Sequence, residues 1–244
     1  MAKHYAVADL HGMYDVYEQI QGIVDPGDTV YFLGDAADRG YDSFKTMQAI
    51  YDNPQWVYLK GNHEDLMAKG LRNLRDYDFT GNKEDYELWM WNGGTNTLKG
   101  WEKAGADYSW IEKLDNLPLK VDYTNPKGIT FHMTHAGYTC GHRDEMWSDR
   151  LVWSRDHFFS PWDEDYFPNE ICIHGHTPIE YLVRTLSWRD KVKPFELGFP
   201  EARVYCDGHK IDIDNGVFYT KSTVLYDLDE MVAIPIYSNA NFEW

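Results

Sequence analysis

The chain has 244 residues and no long polar or Gly/Ser-rich linker, which favours a single domain over residues 1–244. Its 40 acidic and 23 basic side chains give a formal net charge of −17, and such a surface disfavours binding to nucleic acid or to an anionic membrane. The three cysteines form no CxxC pair and no apolar run approaches the length of a membrane span, so we expect a protein of the reducing cytoplasm without a zinc ribbon.

The first sixty residues alternate between apolar runs and helical patterns. We predict strands at 5–8, 29–33 and 56–59, separated by helices at 16–24 and 43–51. This order implies parallel strands joined by helical crossovers. Ligands of such sheets gather beyond the carboxyl ends of the strands, and this chain has polar clusters at those positions.

The rest of the chain divides into a helical part and a second group of strands. Residues from about 65 to 117 are helical and Trp-rich, which we interpret as an insertion beside the cleft whose tryptophans are more typical of core than of a substrate platform. The later strands are predicted at 129–133, 171–173, 203–206, 210–213 and 222–228. The hairpin-like spacing of the last three suggests a second, mixed or antiparallel sheet, so the expected class is α/β.

Five short polar clusters each follow an apolar run. They are Asp9-Leu10-His11-Gly12, Gly34-Asp35-Ala36-Ala37-Asp38-Arg39-Gly40, Gly61-Asn62-His63-Glu64, Thr134-His135-Ala136-Gly137 and His174-Gly175-His176-Thr177-Pro178. Any one is weak evidence, because a buried histidine is usually a satisfied core residue. Five such clusters are hard to explain as core or surface. Their carboxylate, imidazole and amide groups suit divalent ions such as Mn, Fe or Zn, and a shared carboxylate can bridge two ions.

The motifs DxHG, GDxxDRG and GNHE, in this order, resemble the phosphoprotein phosphatases among the calcineurin-like metallophosphoesterases, especially bacterial and bacteriophage members such as the lambda phosphatase. The segment Leu151-Val152-Trp153-Ser154-Arg155 is similar to the family's LLWSR, and residues 211–216 are similar to its IDIDTG turn. The resemblance thins between residues 65 and 128. It implies a β-sandwich of two mixed sheets flanked by helices.

The resemblance also implies a ligand set for two divalent ions, with Mn favoured over Fe or Zn. The implied ligands are Asp9, His11, Asp35, Asn62, His135 and His176. Asp9 and His11 would bind the first ion, Asp35 would bridge both, and the other three would complete the second site. Water or hydroxide between the ions is then the expected nucleophile.

Four further residues are implied to act on the substrate. His63 would be the general acid that protonates the leaving alcohol, with Asp38 bound to its other ring nitrogen. Arg39 and Arg155 would bind the phosphoryl oxygens, because guanidinium groups match them bidentately. A surface salt bridge is the alternative role for Arg155.

The remaining polar residues near these motifs have simpler interpretations. We expect His174 to be a plain neighbour of His176, although a supporting or extra ligand role stays open. Glu64 is expected to order its loop, and His132 to belong to the core. Asp212 and Asp214 are interpreted as structural strand and turn residues.

Three functions are compatible with this pattern. The leading hypothesis is a serine/threonine protein phosphatase that acts on phosphorylated proteins or small phosphoesters by a single in-line displacement. The alternative is a dinucleoside polyphosphate hydrolase, because those enzymes share the same clusters. A non-catalytic metal-binding module is disfavoured, because the four residues with no folding role are all present.

Overall fold

The computed structural model of the chain describes residues 2–76, 83–137, 148–155, 168–186 and 195–240. These residues form two five-stranded sheets that pack face to face, with helices on the outer side of the first sheet. Both sheets mix parallel and antiparallel pairs, so the expected fold class is confirmed. Within the described ranges, no helix is long and apolar enough to cross a membrane.

The first three strands are parallel and alternate with helices, as predicted. They are β1 (His4–Val7), α1 (Tyr14–Gln21), β2 (Thr29–Phe32), α2 (Ser43–Asp52) and β3 (Trp56–Tyr58). β1 and β2 pair in register from His4 with Thr29, and β2 pairs with β3. The predicted bounds differ from these by a few residues.

Helices occupy most of the described residues between 62 and 115. They are α3 (Asn62–Arg75), α4 (Glu84–Trp89), a π-helical turn (Met90–Gly94), α5 (Thr95–Lys103) and α6 (Ser109–Asp115). Trp89, Trp101 and Trp110 are buried in one apolar cluster with the first sheet and its helices, as expected for core residues. Trp91 differs, because 89% of its surface is exposed.

The second sheet has the strand order β4-β5-β6-β8-β7. Its elements are β4 (Lys120–Thr124), β5 (Thr130–Thr134), α7 (Ser148–Trp153), β6 (Glu170–His174), α8 (Ile179–Leu186), β7 (Arg203–Tyr205) and β8 (Lys210–Asp212). β5, β6 and β8 are parallel, while β4 and β7 run antiparallel at the two edges. β4, α7 and α8 were not predicted.

The last elements are α9 (Val217–Thr220), β9 (Ser222–Asp227) and β10 (Val232–Tyr237). The expectation that the strand at 222–228 belongs to the second sheet is wrong, because β9 pairs with β1 and forms a hairpin with β10. All six residues of β9 are buried. A strand buried on both faces fits the interior of either sheet, so hairpin spacing alone does not assign it.

Two apolar layers hold the fold together. Alternate residues of β1 point into each, with Ala6 between the two sheets and Val7 under the helices. Phe131 and Ile173 of the second sheet meet the first sheet in the inner layer. Each fully buried side chain of this size contributes about 1.5–3 kcal/mol, which fixes the relative position of the two sheets.

Candidate metal centre

The six predicted ligands lie at the seam between the two sheets, just beyond the carboxyl ends of parallel strands. Asp9 and His11 follow β1, Asp35 follows β2, Asn62 begins α3 after β3, His135 follows β5, and His176 follows β6. Each of these side chains belongs to a residue that is at most 8% exposed. The strand ends therefore bring the six predicted ligands together, four from the first sheet and two from the second.

Asp35 contacts imidazoles on both sides. Its Oδ2 lies 3.7 Å from His11 Nε2, and its Oδ1 lies 3.4 Å from His135 Nε2. Two groups of possible ligand atoms share this carboxylate: His11 with Asp35 and His63, and Asp9 with Asp35 and His135. This grouping places Asp9 beside His135, and it brings the predicted proton donor His63 beside His11.

Three ligand atoms converge on the second-sheet side of Asp35. Asn62 Oδ1 lies 2.9 Å from His135 Nε2 and 2.8 Å from His176 Nδ1. The two imidazole nitrogens are 3.1 Å apart. Nitrogen and oxygen ligands bound about 2.0–2.2 Å from one ion lie roughly 3 Å from each other, so these separations fit one divalent ion.

Backbone carbonyls select the tautomers of two of these histidines. His135 Nδ1 donates to the carbonyl of Leu33 at 2.7 Å, and His11 Nδ1 donates to the carbonyl of Ala37 at 2.9 Å. Each Nε2 therefore carries a lone pair. Burial lowers the pKa of His11, His135 and His176 below the ordinary value, which keeps these rings neutral, as metal binding requires.

Asp214 is a buried carboxylate beside Asp9 and Asp35, and its place in this cluster was not expected. Burial, together with the charges of Asp214 and Asp35, raises the pKa of Asp9 well above its ordinary value. Burial also raises the pKa of Asp214 to about 7. Divalent cations offset the cost of gathering such charges in the interior, so the donor set fits a metal centre.

Asp214 makes the turn expected of it, since its Oδ1 accepts the Gly216 N–H at 2.8 Å, but its charge also acts on Asp9. A signal for this was present in the sequence. Asp214 follows a strand that pairs in parallel, as the six predicted ligands do.

His63 and Asp38 form a buried pair, 1% and 0% exposed. His63 Nδ1 donates to Asp38 Oδ2 at 2.7 Å. Burial alone would lower the pKa of His63, but Asp35 and Asp38 outweigh it and hold the pKa above its ordinary value. The protonated ring is therefore favoured, which a proton donor needs.

Arg39 contacts both imidazoles beside it. Its Nη1 donates to His11 Nε2 at 2.7 Å, and its Nη2 lies 3.1 Å from His63 Nε2. Arg155, just after α7, is exposed. Burial is the main cause that lowers the pKa of His135 and His176, and the charge of Arg155 lowers both further. The two arginines thus act on different parts of the cluster.

The backbone is strained at the same residues. Ten non-glycine residues of the described ranges have a positive φ, and six of them are predicted site residues: Asp9, His11, Asp35, Asp38, Arg39 and His176. Such conformations cost about 1–3 kcal/mol each and concentrate at functional sites. The cluster is therefore held by its surroundings against local preference.

Glu64 orders the loops beneath the ligands, as expected. Its carboxylate accepts the backbone N–H groups of Asp35 and Gly61 at 2.8 Å each, and of Ala36 at 2.9 Å. Ala37 N–H and the Tyr58 hydroxyl also donate to it. One buried side chain therefore ties the second polar cluster to the third.

Two other histidines lie outside the cluster. His174 Nε2 lies 2.7 Å from the Tyr205 hydroxyl, and burial lowers the pKa of His174 to about 3. It is a neighbour and not part of either ligand group. His132 is buried, as expected, at 8% exposure on the outer face of the second sheet, and its Nδ1 is 2.8 Å from Asp122. Parity fixes this face, because Phe131 and Met133 point inward.

The chain is similar in sequence to known phosphoesterases. Residues 3–211 match the family model of the calcineurin-like phosphoesterases. The asymmetrical bis(5'-nucleosyl)-tetraphosphatase PrpE of Oceanobacillus iheyensis is 23% identical over 87% of this chain and 79% of its own length. A symmetrical bis(5'-nucleosyl)-tetraphosphatase of Legionella pneumophila is 24% identical over 61% of this chain and 60% of its own length.

Solved structures share the fold at low identity. A proposed diadenosine tetraphosphatase superposes with a TM-score of 0.61 at 15% identity, over 98% of this chain and 95% of that one. A serine/threonine phosphatase of Saccharomyces cerevisiae superposes with a TM-score of 0.53 at 14% identity, over 99% and 81%. The family match covers most of the sequence and both sheets up to β8. The chain therefore belongs to the calcineurin-like phosphoesterase family.

Proposed function

We propose that this phosphoesterase hydrolyses dinucleoside polyphosphates at a centre of two divalent ions. The observation that carries the metal part is Asp35, whose two oxygens face different imidazoles. The substrate class is supported by the curated relatives, which are described as bis(5'-nucleosyl)-tetraphosphatases. The alternative weighed from the sequence thus becomes the favoured function.

The residues that would hold the two ions are the six predicted ligands, with Asp35 shared and Mn the expected metal. When bound, such ions act as Lewis acids toward phosphoryl oxygens and lower the pKa of water between them. Asp214 adds a third carboxylate to this side of the cleft.

Arg39 would bind the phosphate chain. Its Nη1 donates to His11 Nε2, and a metal ion would bind at the same nitrogen. Metal binding would therefore release the guanidinium from His11. The freed group can donate two hydrogen bonds to phosphoryl oxygens. Arg155 lies toward His135 and His176 and would hold oxygens at the other side. Several negative charges of a polyphosphate can be bound in this way.

His63 would supply the proton for the leaving group. It would release the proton from Nε2, which points to the same space as Arg39, while Nδ1 stays bound to Asp38. Asp38 keeps the ring in orientation and stabilises its charge until the proton leaves. The leaving phosphate or alcohol then departs as a weaker base.

A substrate comparison tests this proposal. We would measure kcat/KM of the Mn-loaded enzyme for diadenosine tetraphosphate and for a phosphoserine peptide, with Asp35→Asn as the inactive reference. Hydrolysis of the dinucleotide with the higher kcat/KM is expected. A higher value for the phosphopeptide would instead support a protein phosphatase, for which the motif order and the Trp-Ser-Arg segment are the observations in favour.

A further inference from the structure

The catalytic pair is held from outside the sequence motifs. Asp38 Oδ2 binds His63, while Asp38 Oδ1 accepts two other hydrogen bonds. These come from Trp89 Nε1 at 2.9 Å and from Thr97 Oγ1 at 2.6 Å. Thr97 Oγ1 also accepts the backbone N–H of Asp38 at 2.9 Å. Both donors lie in the helical region, at the end of α4 and in α5.

These contacts are fully enclosed. Trp89, Thr97 and Asp38 are each 0% exposed, so water does not compete for the carboxylate. A Cβ added at Gly94 would lie 2.6 Å from Trp89 Nε1, and one added at Gly70 would collide with the indole ring. The indole is thus packed between two glycines that leave it no room to turn.

The geometry has a direct consequence for His63. A carboxylate rotates easily about its last bond, because that torsion is broad and two-fold. Two donors on Oδ1 stop this rotation and keep Oδ2 aimed at His63 Nδ1. Partners of this kind fix the orientation of a functional group even though they do not touch the substrate.

We propose that Trp89 and Thr97 are positioning residues that orient Asp38, and through it His63, for proton donation to the leaving group. This rests on the proposed function in that it takes His63 as the proton donor. The helical region, which lies outside the phosphatase motifs, would then hold Asp38 and His63 in their working orientation.

The test uses kcat for a series of substituted phenyl phosphates with the Mn-loaded enzyme. A poor leaving group needs a proton and a good one does not, so a misplaced donor steepens the dependence of kcat on leaving-group pKa. We expect Thr97→Val and Trp89→Phe to lower kcat about tenfold for phenyl phosphate and much less for 4-nitrophenyl phosphate. A tenfold loss is part of the rate enhancement of about 10²–10⁴-fold that a general acid supplies. Thr97→Ser keeps the hydroxyl, so its dependence of kcat on leaving-group pKa should match that of the wild type.

A matched control separates positioning from packing. Trp101 is 8% exposed, and its Nε1 has no hydrogen-bond partner among the described residues. Trp101→Phe makes the same change in volume without removing a bond to Asp38. It should leave the slope unchanged. An equal loss of kcat for all leaving groups in Thr97→Val, or no loss, would overturn the proposal.

Two further measurements fix the interpretation. His63→Asn should show the steepest slope, and if its slope equals that of the wild type, His63 is not the donor and the positioning proposal falls with it. In the Zn-loaded enzyme, the proton on His63 Nδ1 should give a downfield NMR signal that weakens in Thr97→Val and persists in Trp101→Phe. An unaltered signal in Thr97→Val would also overturn the proposal. None of these results depends on whether a dinucleotide is the preferred substrate.

Discussion

Asp35 is shared by the two groups of possible ligand atoms, which are His11 with His63 and Asp9 with His135. Asn62 and His176, in contrast, lie against His135. Replacing the shared carboxylate should therefore disturb both ions. We expect Asp35→Asn to reduce tightly bound Mn from about two per chain to less than one, whereas His176→Ala should keep about one.

Metal analysis after dialysis measures this difference directly. Asp122→Asn is the control, because Asp122 pairs with His132 on the outer face of the second sheet and should leave both ions in place. Equal metal loss in Asp35→Asn and His176→Ala would contradict the prediction that Asp35 binds both ions.

Glu64 tests how the loops below the ligands are held. Five donors face its two oxygens, and a glutamine would turn an NH2 group toward some of them. Leaving these buried N–H groups unpaired should cost about 2–4 kcal/mol of unfolding free energy. Denaturation with a chelator present measures this without a metal contribution. Glu87→Gln, at an exposed position of α4, should change little, and a similar stability for both variants would refute the role.

The sequence predicts those site residues that carry their chemistry in strand-end motifs, and it does less well with the others. Asp9, Asp35 and His135 each follow an apolar run, so the strand-end rule finds them. Trp89 and Thr97 lie inside helices, and nothing in a helical pattern shows that one face meets Asp38. Their contacts depend on tertiary packing, which periodicity does not encode.

At the scale of elements, the π-helical turn holds the loop that carries Arg39. The Gly93 carbonyl accepts the Arg39 N–H at 3.0 Å, and Gly93 has a φ of 100°. A Cβ there would lie 2.9 Å from the Arg39 nitrogen. Gly93→Ala should displace the arginine, so we expect a several-fold rise in the inhibition constant of inorganic phosphate while metal content stays normal.

Gly105→Ala provides the matched control for backbone strain. Gly105 also has a positive φ, of 63°, but an added Cβ there meets nothing within 4 Å. Both variants should lose about 1 kcal/mol of stability, because alanine is unfavourable in this conformation. Only Gly93→Ala should weaken phosphate binding, and the same inhibition constant in both would argue against the contact.

Element prediction succeeded where local pattern and topology agree. The alternation of β1, α1, β2, α2 and β3 leaves parallel pairing as the simple solution. β9 has an equally clear apolar pattern, but its partner β1 lies more than two hundred residues away. Long-range packing decides which sheet β9 joins. The sequence pattern therefore predicts the strand but not the sheet to which it belongs.

For the whole molecule, the site joins two sheets that also meet through the inner apolar layer and through polar contacts such as Tyr123 with Asp229. Asp9, Asp35 and Asn62 come from the first sheet, and His135 and His176 come from the second. An ion bound to both sides can only be held while the sheets are docked. Metal binding should therefore stabilise the folded chain as a whole.

We expect this as a rise in Tm on adding Mn to the chelated protein. At about 100 times its Kd, an ion that binds only the native state adds about 2.7 kcal/mol per site. For a chain of this size, each kcal/mol raises Tm by about 2–4 °C. Calorimetry should show the shift in the wild type and in Asp122→Asn, and little of it in Asp35→Asn. A ligand that binds only the folded state must raise Tm. If the wild type had the same Tm with Mn as with the chelator, the ions would therefore not link the two sheets.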